Sequence, residues 1–223
     1  RPTKIPMKLL EEGWKNTEIA RYMRETYGVS NEKTALAITI ANREKALLQD
    51  LDYENGYSLY VGIPFCPSIC LYCSFGSHPL ERWTKRVDEY LDTLCKELTF
   101  IREQMGARKL TTVYIGGGTP TTLEPEQLRR LLSHIQETFD FTWVKEYTVE
   151  AGRPDSITRE KLQVMKEFPV TRISVNPQTM NQKTLDVIGR KHTVEDTVNI
   201  FHMARELEFD NINMDLIIGL PGE

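Results

Sequence analysis

The sequence predicts an α/β protein, a parallel sheet with crossover helices preceded by a small helical segment, and two observations carry that expectation. From Tyr57 onward, short runs rich in Val, Ile, Leu, Tyr and Thr alternate with longer amphipathic stretches, the pattern of parallel strands joined by helices. Residues 5 to 51 show no strand signal and read as helices, so the change of pattern at Asp52 to Gly56 separates a helical segment, 1 to 56, from the α/β part, 57 to 223. At 223 residues, 40% hydrophobic and 27% charged, the composition is that of a globular protein able to bury a large core.

In chain order, the spacing predicts helices near Met7 to Glu12, from Thr17 to Tyr27 with Gly28 as its stop, and from Asn31 to Asp50 with Ser30 as N-cap. The third carries Leu36, Ile40, Leu47 and Leu51 on one expected apolar stripe. EIARYMRETYGVS has the outline of a helix-turn-helix reader, but a packed helical cap or linker explains the same turn glycine, and we expect these helices to pack on the barrel. Strand one is Tyr57 to Ile63. A helix from Arg82 to Met105 follows, with Val87, Leu91, Leu94, Leu98, Ile101 and Met105 on one face, Cys95 among them as a buried thiol, and Gly106 as stop. Strand two, Thr112 to Ile115, leads to a helix from Pro125 to Phe139. Strand three, Glu146 to Glu150, leads to a helix from Ser156 to Glu167. Strand four, Thr171 to Asn176, leads to helices at Gln182 to Ile188 and Val194 to Leu207, and strand five is Asn211 to Ile218.

The unusual residues fall together on this map. A three-cysteine loop follows strand one, Gly116-Gly117-Gly118 follows strand two, Glu150 closes strand three, Asn176-Pro177-Gln178 closes strand four, and Asp215 lies late in strand five. These are all carboxyl ends, the rim where catalytic and ligand-binding residues collect in both barrels and doubly wound sheets. Alternation puts Tyr60 with Ser58 and Gly62, Glu150 with Thr148, Asn176 with Ser174 and Arg172, and Asp215 with Asn213, opposite aliphatic faces, so a polar channel is expected inside the helices. Each residue also has a plainer reading. The glycines can be a tight turn or can offer backbone groups to a ligand. Glu150 and Asp215 can be ion-pair partners of Arg172 or Arg190. His134 and His202 read as helix-surface residues, and His192 as either a solvated turn residue or one facing the site.

Cys66, Cys70 and Cys73 stand within eight residues, close enough to converge on one soft-ligand centre. Three readings are open at this point. Three thiolates can hold an iron-sulfur cluster and leave one iron exchangeable; the three with His78 can close a zinc site; Cys70 and Cys73 alone can form a redox pair, which requires a strand-to-helix junction and leaves Cys66 unexplained. A net charge of -4 argues against an electrostatic nucleic-acid binder. The longest apolar run, Ala35 to Ala41, is too short for a membrane span, and the charged start Arg1-Pro2-Thr3-Lys4 is not a signal peptide, so a cytoplasmic protein is expected. An initial Arg1 and an end at Leu220-Pro221-Gly222-Glu223 suggest a piece of a longer protein.

From Tyr57 to the end the chain resembles the oxygen-independent coproporphyrinogen III dehydrogenase family of radical S-adenosylmethionine (SAM) proteins, in its HemZ-like branch. The resemblance is carried by IPFCPSICLYCSF with Tyr72 before the last cysteine, by IGGGTPT, by Glu150-Ala-Gly-Arg-Pro-Asp, by Arg172-Ile-Ser-Val-Asn-Pro-Gln178, by Ile188-Gly-Arg-Lys-His192 and by Asp215-Leu-Ile-Ile-Gly-Leu-Pro-Gly222. It implies a partial (βα) barrel of the radical SAM type, a 4Fe-4S cluster on Cys66, Cys70 and Cys73, and S-adenosyl-L-methionine held by Tyr60, Tyr72, Gly117, Gly118, Thr119, Glu150, Gln178, Arg190 and Asp215. It further implies a 5'-deoxyadenosyl radical, an external electron donor for the cluster, a tetrapyrrole substrate, coproporphyrinogen III or haem, and a further strand and C-terminal region without which residues 1 to 223 would not be a complete catalyst. One position departs from the pattern: Phe75 stands where decarboxylating members carry another cysteine. Haem-carrying chaperones and haem methyltransferases on the same fold are the alternatives that this departure opens.

Overall fold

The computed structural model describes residues 3–49, 51–52 and 55–223. Asp50, the expected end of the third helix, Tyr53 and Glu54 in the expected boundary, and Arg1 and Pro2 lie outside the described residues. The chain divides into two compact units, Arg1–Asn55 and Gly56–Glu223.

The first unit is three helices, α1 (Lys4–Glu11), α2 (Asn16–Tyr27) and α3 (Asn31–Leu48). Gly28 ends α2 in the left-handed region at φ 62°, and the Ser30 hydroxyl accepts from the Lys33 N–H at 3.4 Å to cap α3. The expected stripe on α3 is not its buried one. Leu36 and Leu47 are 59% and 77% exposed, while Thr34, Ala37, Ile38 and Ala41 are buried against Leu9, Leu10, Ile19 and Met23. Small side chains let three short helices approach closely, a requirement that a count of leucines does not register.

The second unit is organised on a five-stranded parallel sheet: β1 (Gly56–Ile63), then, beyond a two-stranded parallel pair made by β2 (Phe65–Cys66) and β3 (His78–Pro79), β4 (Lys109–Gly117), β5 (Glu146–Gly152), β6 (Arg172–Val175) and β7 (Ile212–Asn213). The spatial order β1-β4-β5-β6-β7 follows the chain without reversal. That is the winding of a barrel wall; a doubly wound sheet would reverse direction partway. Helices α4 (Val87–Met105), α5 (Pro125–Thr138), α6 (Arg159–Lys166), α7 (Gln182–Val187) and α8 (Val194–Glu206) make the crossovers.

Alternation decides what each face does. Leu59, Val61 and Ile63, Val113 and Ile115, Val149 and Ala151, and Ile173 and Val175 are buried in one core with Leu91, Leu98, Leu128, Leu132, Leu162 and Ala204 of the helices. In register, Tyr60 pairs with Tyr114, Tyr114 with Thr148, and Thr148 with Arg172, so one polar row crosses four strands on the other face. Three expected elements are shorter than their sequence patterns. Two 3₁₀ turns, Leu80–Arg82 and Thr84–Arg86, precede α4; Pro154–Ser156 is a 3₁₀ turn, and α6 starts only at Arg159 after the Thr158 cap; and strand five is only Ile212–Asn213, with one further bridge between Gln178 and Leu216. Of the expected α4 face, Val87, Leu91, Leu94 and Leu98 are buried, Ile101 packs against the core in part, and Met105 and Cys95 are half-buried. Among the described residues no helix is long and apolar enough to cross a membrane.

Leu132 is fully buried in α5 at the centre of the core. Leu132→Ala is expected to cost about 2 to 5 kcal/mol in chemical denaturation, the range for a truncated core leucine.

Candidate functional site

The carboxyl rim of the sheet joins the cysteine loop to the glycine run through backbone. The Gly118 N–H donates to the Ile63 carbonyl at 2.7 Å, and the Thr119 N–H donates to the Phe65 carbonyl at 2.7 Å. A Cβ on Gly118 would lie 2.6 Å from the Phe65 oxygen and 3.0 Å from the Cys66 sulfur, and Gly117 sits at φ 103°, so both positions require glycine. The amides of Gly118 and Thr119 are therefore engaged within the protein. The sequence left open a tight turn or a run that offers backbone groups to a ligand; in the structure Gly117 and Gly118 also permit the close approach of two segments.

Glu150 accepts from the Tyr114 hydroxyl, and the Tyr114 ring stacks on Tyr60 with centroids 5.8 Å apart. Burial, reinforced by Asp215, pushes the Glu150 carboxyl above its ordinary range, against the lowering effect of the Tyr114 bond. A Cβ on Gly116 would stand 2.9 Å from Glu150 Oε2, so this glycine makes room for the carboxylate. The ion-pair alternative does not describe these carboxylates. Arg172 reaches Glu146 at 3.5 Å and Asn213 at 2.9 Å, and Asp215 accepts from Asn213 at 2.8 Å.

On the far side of the rim, Arg190 is buried and donates to the Asn176 carbonyl at 3.1 Å and to the Tyr72 hydroxyl at 2.9 Å. Asn176 Oδ1 accepts the Asp215 N–H at 3.2 Å, and the Gln178 N–H donates to the Asp215 carbonyl at 3.0 Å. Gln178 holds a positive φ of 67°, unusual outside glycine, where the chain leaves β6. Arg190, Tyr72, Asn176, Asp215 and Gln178 thus form one chain of contacts.

The cysteine loop lies between these networks. Cys66 and Cys70 are buried, Cys73 is half-buried, and all three are free thiols. The Thr119 hydroxyl is 3.4 Å from the Cys66 sulfur, and Arg153 NH1 is 3.6 Å from the Cys70 sulfur. The three thiols share one loop, yet among the described residues no three His, Cys, Asp or Glu side chains are placed to hold a metal ion, with or without His78. The His78 ring instead lies 5.3 Å from Trp83. Cys70 and Cys73 flank the turn at Leu71-Tyr72 and do not open a helix, which removes the redox-pair reading. A cleft of about 340 Å³ opens beside the loop, lined by Tyr60, Phe75, Tyr90, Gly117 and Gly118.

Two contributors to this site carried no sequence signal strong enough to select them: Tyr114, whose strand register with Tyr60 is the clue, and Arg153, a charged residue that hydropathy would place outside; Asn176, which the sequence marks as closing strand four, ties Arg190 to Asp215. His134 is not a plain surface residue, since its Nε2 meets the Cys95 carbonyl at 2.8 Å, whereas His202 is exposed. His192 is 1% exposed, which removes the solvated-turn reading, and its two ring nitrogens find no hydrogen-bond partner among the described residues.

Gly118→Ala is expected to cost roughly 1 to 3 kcal/mol, the range for forced overpacking, because its clashes are with backbone oxygens that cannot rotate away. Chemical denaturation measures it. Burial first, then the charge of Arg190, holds the His192 imidazole down at about 4, with Arg153 acting in the same direction and Asp155 and Asp196 opposing. The unfolded chain binds a proton there near pH 6.5, so this group's share of stability is whole above that pH and is lost as pH falls toward 4. His192→Gln should flatten that part of a stability-against-pH curve; identical slopes for the two proteins would contradict it.

Residues 60–223 match the family model described as the radical SAM superfamily. Over its whole length the chain is 42% identical to the oxygen-independent coproporphyrinogen-III oxidase-like protein HemZ of Bacillus subtilis (strain 168), covering 45% of that protein. Over 74% of its length it is 41% identical to the heme chaperone HemW of the same organism, covering 43% of it. The solved structure of coproporphyrinogen III oxidase (HemN) from Escherichia coli superposes on 80% of the chain with a TM-score of 0.69 and 31% identity, over 41% of that structure. The chain spans less than half the length of each of these relatives.

Proposed function

The chain belongs to the radical SAM superfamily, whose cofactors are a 4Fe-4S cluster and SAM, and from that premise we propose that its rim holds both and that the protein acts on a tetrapyrrole. The reaction we assign is oxygen-independent oxidative decarboxylation of coproporphyrinogen III to protoporphyrinogen IX. One observation carries the site assignment: the glycine run is built into the backbone of the cysteine loop, so that Cys66, Gly118, Thr119 and Glu150 form one packed unit.

The donor types of these residues suit the two cofactors. Three free thiols are soft ligands for iron, and two already have a donor beside the sulfur, a hydroxyl on Cys66 and a guanidinium on Cys70. Rotation about χ1 on the existing backbone is the freedom their side chains have for closing on a cluster. In this reading Cys66, Cys70 and Cys73 are the ligands. When bound, the cluster and SAM supply one-electron cleavage of the sulfonium and a 5'-deoxyadenosyl radical. The residues of the chain bind and orient. A SAM amino group needs acceptors, which a loop with engaged N–H groups has to offer in its carbonyls. A SAM carboxylate suits Arg190, whose Nε has no partner among the described residues. Ribose hydroxyls suit the side chains of Asp215 and Gln178, which their backbones hold side by side. Glu150, Tyr60 and Tyr72 border the same rim, and the row from Tyr60 to Arg172 leaves the interior polar for a ligand.

A second reading, haem carriage, is favoured by the 41% identity to a heme chaperone and by Phe75, which lines the cleft. The deciding assay uses the full-length protein, anaerobically, with SAM, reductant and coproporphyrinogen III. Release of carbon dioxide is the expected outcome; stoichiometric haem binding with no carbon dioxide would replace it with the chaperone, and transfer of a labelled methyl group to haem with the methyltransferase.

Anaerobic reconstitution should give about one 4Fe-4S cluster per chain by iron and sulfide analysis. Ala at Cys66, Cys70 or Cys73 should abolish it, while Cys95→Ala leaves it unchanged. Stoichiometric zinc without sulfide in protein isolated free of oxygen would reverse the assignment.

A further inference from the structure

Arg153 is one of the most buried charged side chains described, 4% exposed, and it lies outside the residues the resemblance assigns to either cofactor. Its backbone is fixed by the turn that follows, where the Ser156 N–H and hydroxyl donate to the Arg153 carbonyl at 3.0 and 2.8 Å. All three guanidinium nitrogens are in use. Nε and NH2 form a two-pronged pair with Asp155 at 3.0 and 2.8 Å. NH1 points the other way, donating to the Ser68 carbonyl at 2.9 Å and to its hydroxyl oxygen at 3.0 Å, and standing 3.6 Å from the Cys70 sulfur.

Ser68 and Cys70 are in the interior of the cysteine loop, a segment with few bonds of its own: the Cys73 N–H to the Cys70 carbonyl closes one turn. Other anchors come from residues 188–190, where the Leu71 N–H reaches the Ile188 carbonyl at 3.0 Å, the Ser68 hydroxyl the Gly189 carbonyl at 3.1 Å, and Arg190 the Tyr72 hydroxyl at 2.9 Å. The loop is thus pinned from two sides, by Arg153 on one and residues 188–190 on the other. A structural ion pair would need only Asp155. Burying a guanidinium is costly unless every donor is satisfied, and here the donors left over from Asp155 are spent on the loop. Only a planar fork can serve both at once; an ammonium is a single point.

We propose that Arg153 is a positioning residue for the cysteine loop: braced on Asp155, it fixes the loop at Ser68 and sets an N–H against the Cys70 sulfur, ordering the loop before a cluster enters and raising the potential of the cluster it holds. The second half rests on the reading of Cys66, Cys70 and Cys73 as cluster ligands; the first does not. A donor beside a ligand sulfur favours the more negative, reduced cluster, so its loss lowers the potential.

The test compares the full-length wild type with Arg153→Lys, which keeps the charge and loses the fork, with Asp155→Asn, which removes the brace's charge and one of its two acceptors and keeps the arginine, and with Leu132→Ala as a variant destabilised in the core outside the loop. In the metal-free proteins, amide hydrogen exchange of peptides covering residues 67–74 should quicken about ten-fold in both loop variants, the effect of losing one charge-assisted hydrogen bond, and stay at the wild-type rate in L132A. In the reconstituted proteins, both loop variants should lose iron faster to a chelator and R153K should show a more negative cluster potential, with L132A unmoved in potential. Equal exchange in wild type and R153K, or equal loosening in L132A, overturns the proposal. A wild type that loads no cluster overturns the ligand reading instead, and the exchange arm still decides whether Arg153 orders the loop.

Discussion

The rest of the site depends on how closely the Gly116-Gly117-Gly118 run can approach the strand that leads into the cysteine loop. A side chain at residue 118 would meet a sulfur and two carbonyl oxygens, and the oxygens are held by the backbone. The absence of a Cβ lets the loop after β4 extend the backbone pairing of β1 past the end of the sheet, through Ile63 and Phe65. That extension places the Thr119 hydroxyl on Cys66, while Gly116 leaves room for the Glu150 carboxylate. One local requirement, two backbones in contact, thereby fixes a thiol, a hydroxyl and a carboxylate relative to one another.

Parallel pairing then distributes the chemistry. Strands in register present like positions to the same face, so a residue type chosen on one strand meets its neighbour's choice on the next. Tyr60 beside Tyr114 gives a stacked pair, and Gly62 beside Gly116 clears the row into which Glu150 extends. The aliphatic positions between them are committed to the helices, which is why the polar face can be polar at little cost: core formation is complete without it. An apolar barrel centre would stabilise the fold and leave no place for a charged cofactor.

How much of this was legible in the sequence follows from which interactions are local. The parallel strands and their carboxyl-end motifs were readable because alternation, flanking glycine and strand-to-helix order are properties of short windows. The α3 face was misread because leucines were counted, whereas Ala37 and Ala41 are buried by their smallness. Strand five was overextended because Asn211 to Ile218 alternates like a strand; its pairing beyond Asn213 is broken where Gln178 takes a positive φ and β6 ends, a tertiary fact. Arg153 was invisible to any scale that places charge outside, since its partners Ser68 and Cys70 are more than 80 residues away.

The two arginines of the rim show how ligand and loop are coupled. Arg153 holds the loop at Ser68, and Arg190 holds it at the Tyr72 hydroxyl while also gripping the Asn176 carbonyl. Asn176 passes the constraint to Asp215, and Asp215 to Gln178, by backbone bonds. Arg190 Nε has no partner among the described residues and is closed off from solvent, so a carboxylate placed at Arg190, as proposed, would have to displace a neighbour such as the Tyr72 hydroxyl. That displacement would release Tyr72, the residue directly before Cys73, and would tie occupancy of the proposed ligand position to the conformation of the third thiol. Under that assignment the ligand and the cluster would be coupled through Tyr72, which is hydrogen-bonded to Arg190 and adjoins Cys73 in the chain.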